Sequence, residues 1–175
     1  MQKPYFTTKK ICITAAFLAL NVIMSSSFLS IPVPGGHLYL NDSIISLAAL
    51  VLDPISAFIV GGVGAFIGDF LFYPAPMFVS LVTHGLQAVV ISLCARRMLK
   101  NRPVTASAIG SAFGLLITVV GYTLGRAFIY GTPAYAVAKL PFQILQTAVG
   151  SAAALLLCWK AGLVKLYNKQ FGEKK

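Results

Sequence analysis

"SIISLAALVL", residues 43–52, is an apolar decapeptide bracketed by Asn41 and Asp42 on one side and by Asp53 and Pro54 on the other. Coiled as a helix it reaches about 15 Å, half of the roughly 30 Å that a hydrocarbon layer demands. Five longer apolar runs surround it, at 11–29, 55–72, 77–95, 106–130 and 135–159, separated by Pro, Gly or charged residues. Whether the short piece crosses decides the fold, because every segment after it changes sides with it.

Hydrophobic residues make up 58% of the 175-residue chain and charged ones only 10%, with a mean hydropathy of +0.84. So few charges cannot solvate an ordinary globular surface, and lipid is the expected environment. The basic residues then report orientation. Lys3, Lys9 and Lys10 precede the first run, Arg96, Arg97, Lys100 and Arg102 fill "ARRMLKNRP", and Lys160, Lys165, Lys169, Lys174 and Lys175 follow the last. Cytoplasmic loops collect Lys and Arg, so all three clusters belong on one side, and an even number of crossings must precede Arg96. The short segment must therefore cross. The expected fold is an all-α integral membrane protein with six transmembrane helices in one bundle, a single domain over residues 1–175, and both termini cytoplasmic. "SIPVPGGHLYLND" (30–42), "YPAP" and "GTPA" then face outside. No cleavable signal is expected, since the first run lacks a small-residue cleavage site.

The formal charge of +10 does not indicate nucleic acid, because most of the chain has no basic face to offer one. Cys12, Cys94 and Cys158 form no CxxC or His/Cys pattern and read as reduced packing residues. There is no phosphate-binding G-x-x-x-x-G-K-[ST] loop, no HExxH, no second intramembrane catalytic aspartate beside Asp69, and no clear internal repeat. An enzyme, a metal site, a resident cofactor and an autonomous ATPase are all disfavoured.

Two basic residues fall outside the clusters, Arg126 and Lys139, near the external ends of the fifth and sixth runs. Ionisable groups inside a membrane face a cavity or a partner, or snorkel to the headgroups. Helical spacing favours the cavity: Tyr122, Arg126 and Tyr130 share one face, Lys139, Gln143, Gln146 and Gly150 share another, and Ser80, Thr83, His84 and Gln87 line a third. Asp69 lies at a similar height, as a ligand contact or as the ion-pair partner of these cations. Glycines of the third and fifth runs read as close-packing positions, and Ala15 and Ala19 as a small-residue helix face.

Taken together, "AAFLA", "IPVPGG" leading through "YLND" into a short second span, "LDP", "GGVGAFIGD" and "LPFQILQTAVG" resemble the substrate-binding S components of energy-coupling factor (ECF) vitamin transporters over nearly the whole chain. The resemblance implies a bacterial, multi-pass cytoplasmic-membrane subunit without enzymatic activity or cofactor. Such a subunit captures a water-soluble vitamin from outside beneath a lid between spans 1 and 2, then works with a transmembrane scaffold subunit (T component) and two cytoplasmic ATPases. Ala15 and Ala19 become the scaffold-docking face. Among S components the chain looks most like the hydroxymethylpyrimidine and vitamin B6 type. A small heterocycle would stack on Tyr39 or Tyr122 and bond Asp69, His84 and Gln143, with Asn41, Asp42, Gln87, Arg126, Lys139 and Gln146 completing the expected site. His84 and Lys139 depart from that type, which looks for lysine and an acidic group there. Arg126 and Lys139 suit a carboxylate, so pantothenate is an alternative, as are riboflavin and a small-solute channel or carrier.

Overall fold

In a computed structural model the described residues are 7–33, 36–99 and 101–171. Lys3, Lys100, Lys174 and Lys175 of the basic clusters, and Pro34 and Gly35 of the expected lid, lie outside them. The described residues form seven helices and one small hairpin: α1 Thr8–Met24, α2 Asn41–Val51, α3 Pro54–Phe72, α4 Met77–Arg97, α5 Pro103–Tyr130, α6 Pro133–Lys160 and α7 Leu163–Phe171. The hairpin joins β1 Ile31–Val33 to β2 Gly36–Leu38 antiparallel, with Pro32 opposite His37.

Local chemistry sets the helix starts. Thr7 accepts the Lys10 amide at the head of α1, and Thr132 that of Tyr135 at the head of α6. Asp53 accepts both the Ser56 amide and its hydroxyl before Pro54 opens α3. Sequence periodicity carries the first span to residue 29, whereas α1 ends at Met24. The Ser25 hydroxyl turns back to the Asn21 carbonyl at 2.9 Å, and Ser27–Leu29 winds into a single tighter turn. A serine run offers the backbone these competing bonds, which an apolar-run count does not register.

Four helices, α3 to α6, are long and apolar enough to cross a membrane. The 11-residue α2 is not, and its surroundings explain why it need not be: nine of its residues are buried, packed among α1, α4 and α6. Both of its ends are held by side chains from elsewhere. Arg96 donates to the carbonyls of Val51 (2.9 Å) and Leu52 (3.2 Å), and Ser92 also donates to Leu52 (2.7 Å). A Lys10–Asp53 ion pair at 2.7 Å closes the same end. At the opposite end Asp42 is completely buried and accepts from α4 and α6.

Inside the bundle polar side chains gather beside an apolar core built on α2, and large apolar side chains cover the outside. Asn21, Asp42, His84, Gln87, Arg126, Lys139 and Gln143 are all buried, while Phe78, Phe128, Ile129, Val137 and Val149 are exposed. Large apolar side chains outside and polar groups turned inward is the arrangement lipid favours. The glycines serve close packing: Gly61 and Gly62 of α3 meet the backbone of α4, where an added Cβ would lie 2.8 Å from the carbonyl oxygens of His84 and Leu81. There α3 makes a π turn, Ile59–Val63, and Asn21 of α1 donates to its Val60 carbonyl at 2.6 Å.

Candidate functional site

At the hairpin end of the bundle lies a cavity of about 310 Å³. Nine of the residues expected from sequence line it: Tyr39, Asn41, Asp69, His84, Tyr122, Arg126, Lys139, Gln143 and Gln146. Joining them are Ser25, His37, Phe72, Tyr73, Pro76, Tyr130 and Tyr135. Of these, Tyr130 falls on the Tyr122–Arg126 stripe and His37 in the loop, whereas Tyr73 and Tyr135 border the "YPAP" and "GTPA" turns and carried no periodic signal.

Asp42 and Gln87 do not line the cavity; they stand behind it. Gln87 Nε2 donates to Asp42 Oδ1 at 3.3 Å, so Gln87 Oε1 is the acceptor for His84 Nδ1 at 2.7 Å, which fixes the proton on Nδ1. His84 Nδ1 itself is 3.9 Å from Asp42 Oδ1. On its other oxygen Asp42 accepts Gln146 Nε2 at 2.6 Å and Thr147 at 3.5 Å. One buried carboxylate thus orients His84 through Gln87 and orients Gln146 directly. Gly150 permits this: an added Cβ would lie 2.8 Å from Asp42 Cβ and 2.9 Å from the Ser43 nitrogen.

The oriented Gln146 reaches the hairpin, its Oε1 accepting the Tyr39 amide at 2.9 Å, and Lys139 Nζ donates to the His37 carbonyl at 2.8 Å. Two α6 side chains therefore hold the strand–helix junction over the cavity by its backbone. On the far wall Ser80 donates to Asp69, and since its single proton is spent there, the Tyr122 hydroxyl donates to Ser80 Oγ at 2.5 Å. The His84 ring meets Tyr122 edge-on at 5.2 Å.

Arg126 and Lys139 are buried, so neither snorkels to an interface. Nor do they pair with Asp69: among the described residues neither cation lies within ion-pair distance of a carboxylate. Arg126 instead donates to Gln143 Oε1 at 2.7 Å and lies 5.2 Å from the Tyr122 ring centre. Asp69, on α3, accepts instead from Ser80 of α4, so of the two roles open to it from sequence the ion pair with Arg126 or Lys139 is not formed.

Residues 5–164 match the family described as ECF-type riboflavin transporter, S component. The chain belongs to this family. It is a substrate-binding subunit of an ECF transporter, and not an enzyme. The match supports the S-component class expected from the residues but not the hydroxymethylpyrimidine or B6 type. This S component is also similar to an uncharacterized protein in gap 3'region of Pyrococcus woesei, 28% identical over 131 residues covering 74% of this chain and 86% of the relative. A UPF0397 protein of Streptococcus gordonii is 27% identical over 135 residues, 73% of each chain. ECF S components in general act with a T component and ATPases.

Proposed function

We propose that this S component captures, from the external side of a bacterial cytoplasmic membrane, a water-soluble vitamin built on a planar heteroaromatic ring. The carrying observation is the cavity, walled by Tyr39, Tyr73, Tyr122, Tyr130, Tyr135 and His84 and roofed by a hairpin that α6 holds by its backbone. At about 310 Å³ it sits at the small end of ligand pockets, roughly 300–1,000 Å³. Aromatic walls favour a flat ring over the aliphatic chain of pantothenate. Riboflavin, from the family's name, is the first compound to test, and the B6 and hydroxymethylpyrimidine vitamins are the next.

In this reading α1 and α2 cross with α3 to α6, giving six spans in one domain with both termini cytoplasmic. The hairpin is the lid, and Ala15 and Ala19 dock the T component, which brings two ATPases. Both alanines are exposed on α1, and the ends held by Lys10, Asp53 and Arg96 lie opposite the cavity. Mass spectrometry of small molecules released from the purified chain tests the ligand: a ring vitamin at stoichiometric amounts supports the reading, and an aliphatic solute refutes it. Sustained accumulation of solute by the chain reconstituted alone would instead indicate an autonomous carrier.

A further inference from the structure

We propose that the Arg126–Gln143 end of the cavity is a subsite for an anionic group carried by the ligand, as a carboxylate or phosphate; the inference deepens the ring-vitamin reading and rests on it for the cavity's use. Arg126 is 6% exposed, Gln143 2% and Lys139 4%, and all three line the cavity. Arg126 Nη2 donates to Gln143 Oε1, which orients the amide so that its Nε2 faces elsewhere. That Nε2 and Arg126 Nη1 are both buried donors without a partner. Lys139, one turn before Gln143 on the same face of α6, donates to the His37 carbonyl and has two further protons to give.

At the Arg126–Gln143 pair both unmet atoms are donors, the other unmet atom of the lining being the acceptor Asn41 Oδ1, and Arg126 and Lys139 have no counter-ion among the described residues. The cavity's own carboxylate, Asp69, is occupied with Ser80. A neutral carbonyl would satisfy the donors and leave two buried charges uncompensated, whereas an anionic oxygen meets both needs. The guanidinium fork is also matched to a planar or tetrahedral group with two oxygens to share. A neutral flavin is then a poorer ligand than the same ring bearing phosphate.

The test uses matched pairs on the purified full-length chain: flavin mononucleotide against riboflavin, and pyridoxate against pyridoxine, with pantothenate as an anion lacking a ring. The expected result is binding of the anionic member about tenfold or more tighter in at least one pair. Arg126→Gln should erase that preference and Arg126→Lys restore part of it, with unchanged melting curves certifying the fold. Equal binding of both members, or a preference that survives Arg126→Gln, overturns the subsite while leaving the ring reading intact. Arg126-dependent binding of pantothenate alone would keep the subsite and remove the ring. Should Arg126→Gln fail to fold, the wild-type pairs still decide, and the absence of binding by any anion overturns the proposal.

Discussion

Replacing Gln146 by Met isolates the hold that α6 has on the hairpin, the lid of the proposed function. The change keeps the length of the side chain and removes one acceptor, the Oε1 that receives the Tyr39 amide at 2.9 Å. A neutral hydrogen bond of this kind contributes about 0.5–1.5 kcal/mol net, because the freed amide finds water when the hairpin lifts. The equilibrium between held and lifted hairpin should therefore move roughly two- to tenfold toward lifted. A lid that opens more often admits and releases ligand more often, so association and dissociation rates should rise together with little change in Kd. Stopped-flow fluorescence with riboflavin or flavin mononucleotide on the purified chain reads both. Faster release with unaltered association would make Gln146 a ligand contact and not a latch, and unaltered rates would show that the bond does not hold the hairpin. The second bond of the Gln146 amide, to Asp42, affects stability instead; Asp42 retains Gln87 and Thr147, and a melting curve separates that effect.

Gly150→Ala should cost about 1–3 kcal/mol and lower Tm by roughly 2–12 °C, since the new Cβ meets α2 backbone that cannot swing aside; an unchanged melting curve would refute that close approach. Arg96→Met should destabilise by about 1–3 kcal/mol because the Val51 carbonyl loses its donor, whereas Arg97→Met, at an exposed neighbour, should leave thermal unfolding unaltered. Ala15→Leu with Ala19→Leu should leave folding and ligand binding intact and abolish co-purification with the energising subunits. Loss of ligand binding in that double variant would assign the two alanines to the bundle interior instead.

The helical stripes were legible because period alone places Lys139, Gln143 and Gln146, or Tyr122, Arg126 and Tyr130, on common faces, and the structure turns both faces into the cavity. What period cannot give is depth. Asp42 sits beside Asn41 in sequence, yet one lines the cavity and the other is sealed behind it, a distinction made by α4 and α6 side chains more than forty residues away. Arg96 illustrates the same limit. As one of a basic cluster it reports orientation, but it also holds the final carbonyls of α2, a role set by tertiary proximity. The helix α7, hidden in a basic tail, becomes visible only when Tyr167 is seen packed on the core.

The brevity of α2 fixes a distance. Its N-terminal Asn41 is part of the cavity wall and its last carbonyls are held by Arg96, in the final turn of α4. Eleven residues of helix span about 16 Å, against a hydrocarbon thickness of roughly 30 Å. A molecule resting beside Asn41 would therefore lie about one α2 length, roughly half a hydrocarbon thickness, from the end that Arg96 holds. The cavity wall and the Arg96-held end of the bundle are thus three helical turns apart, joined by one short buried helix.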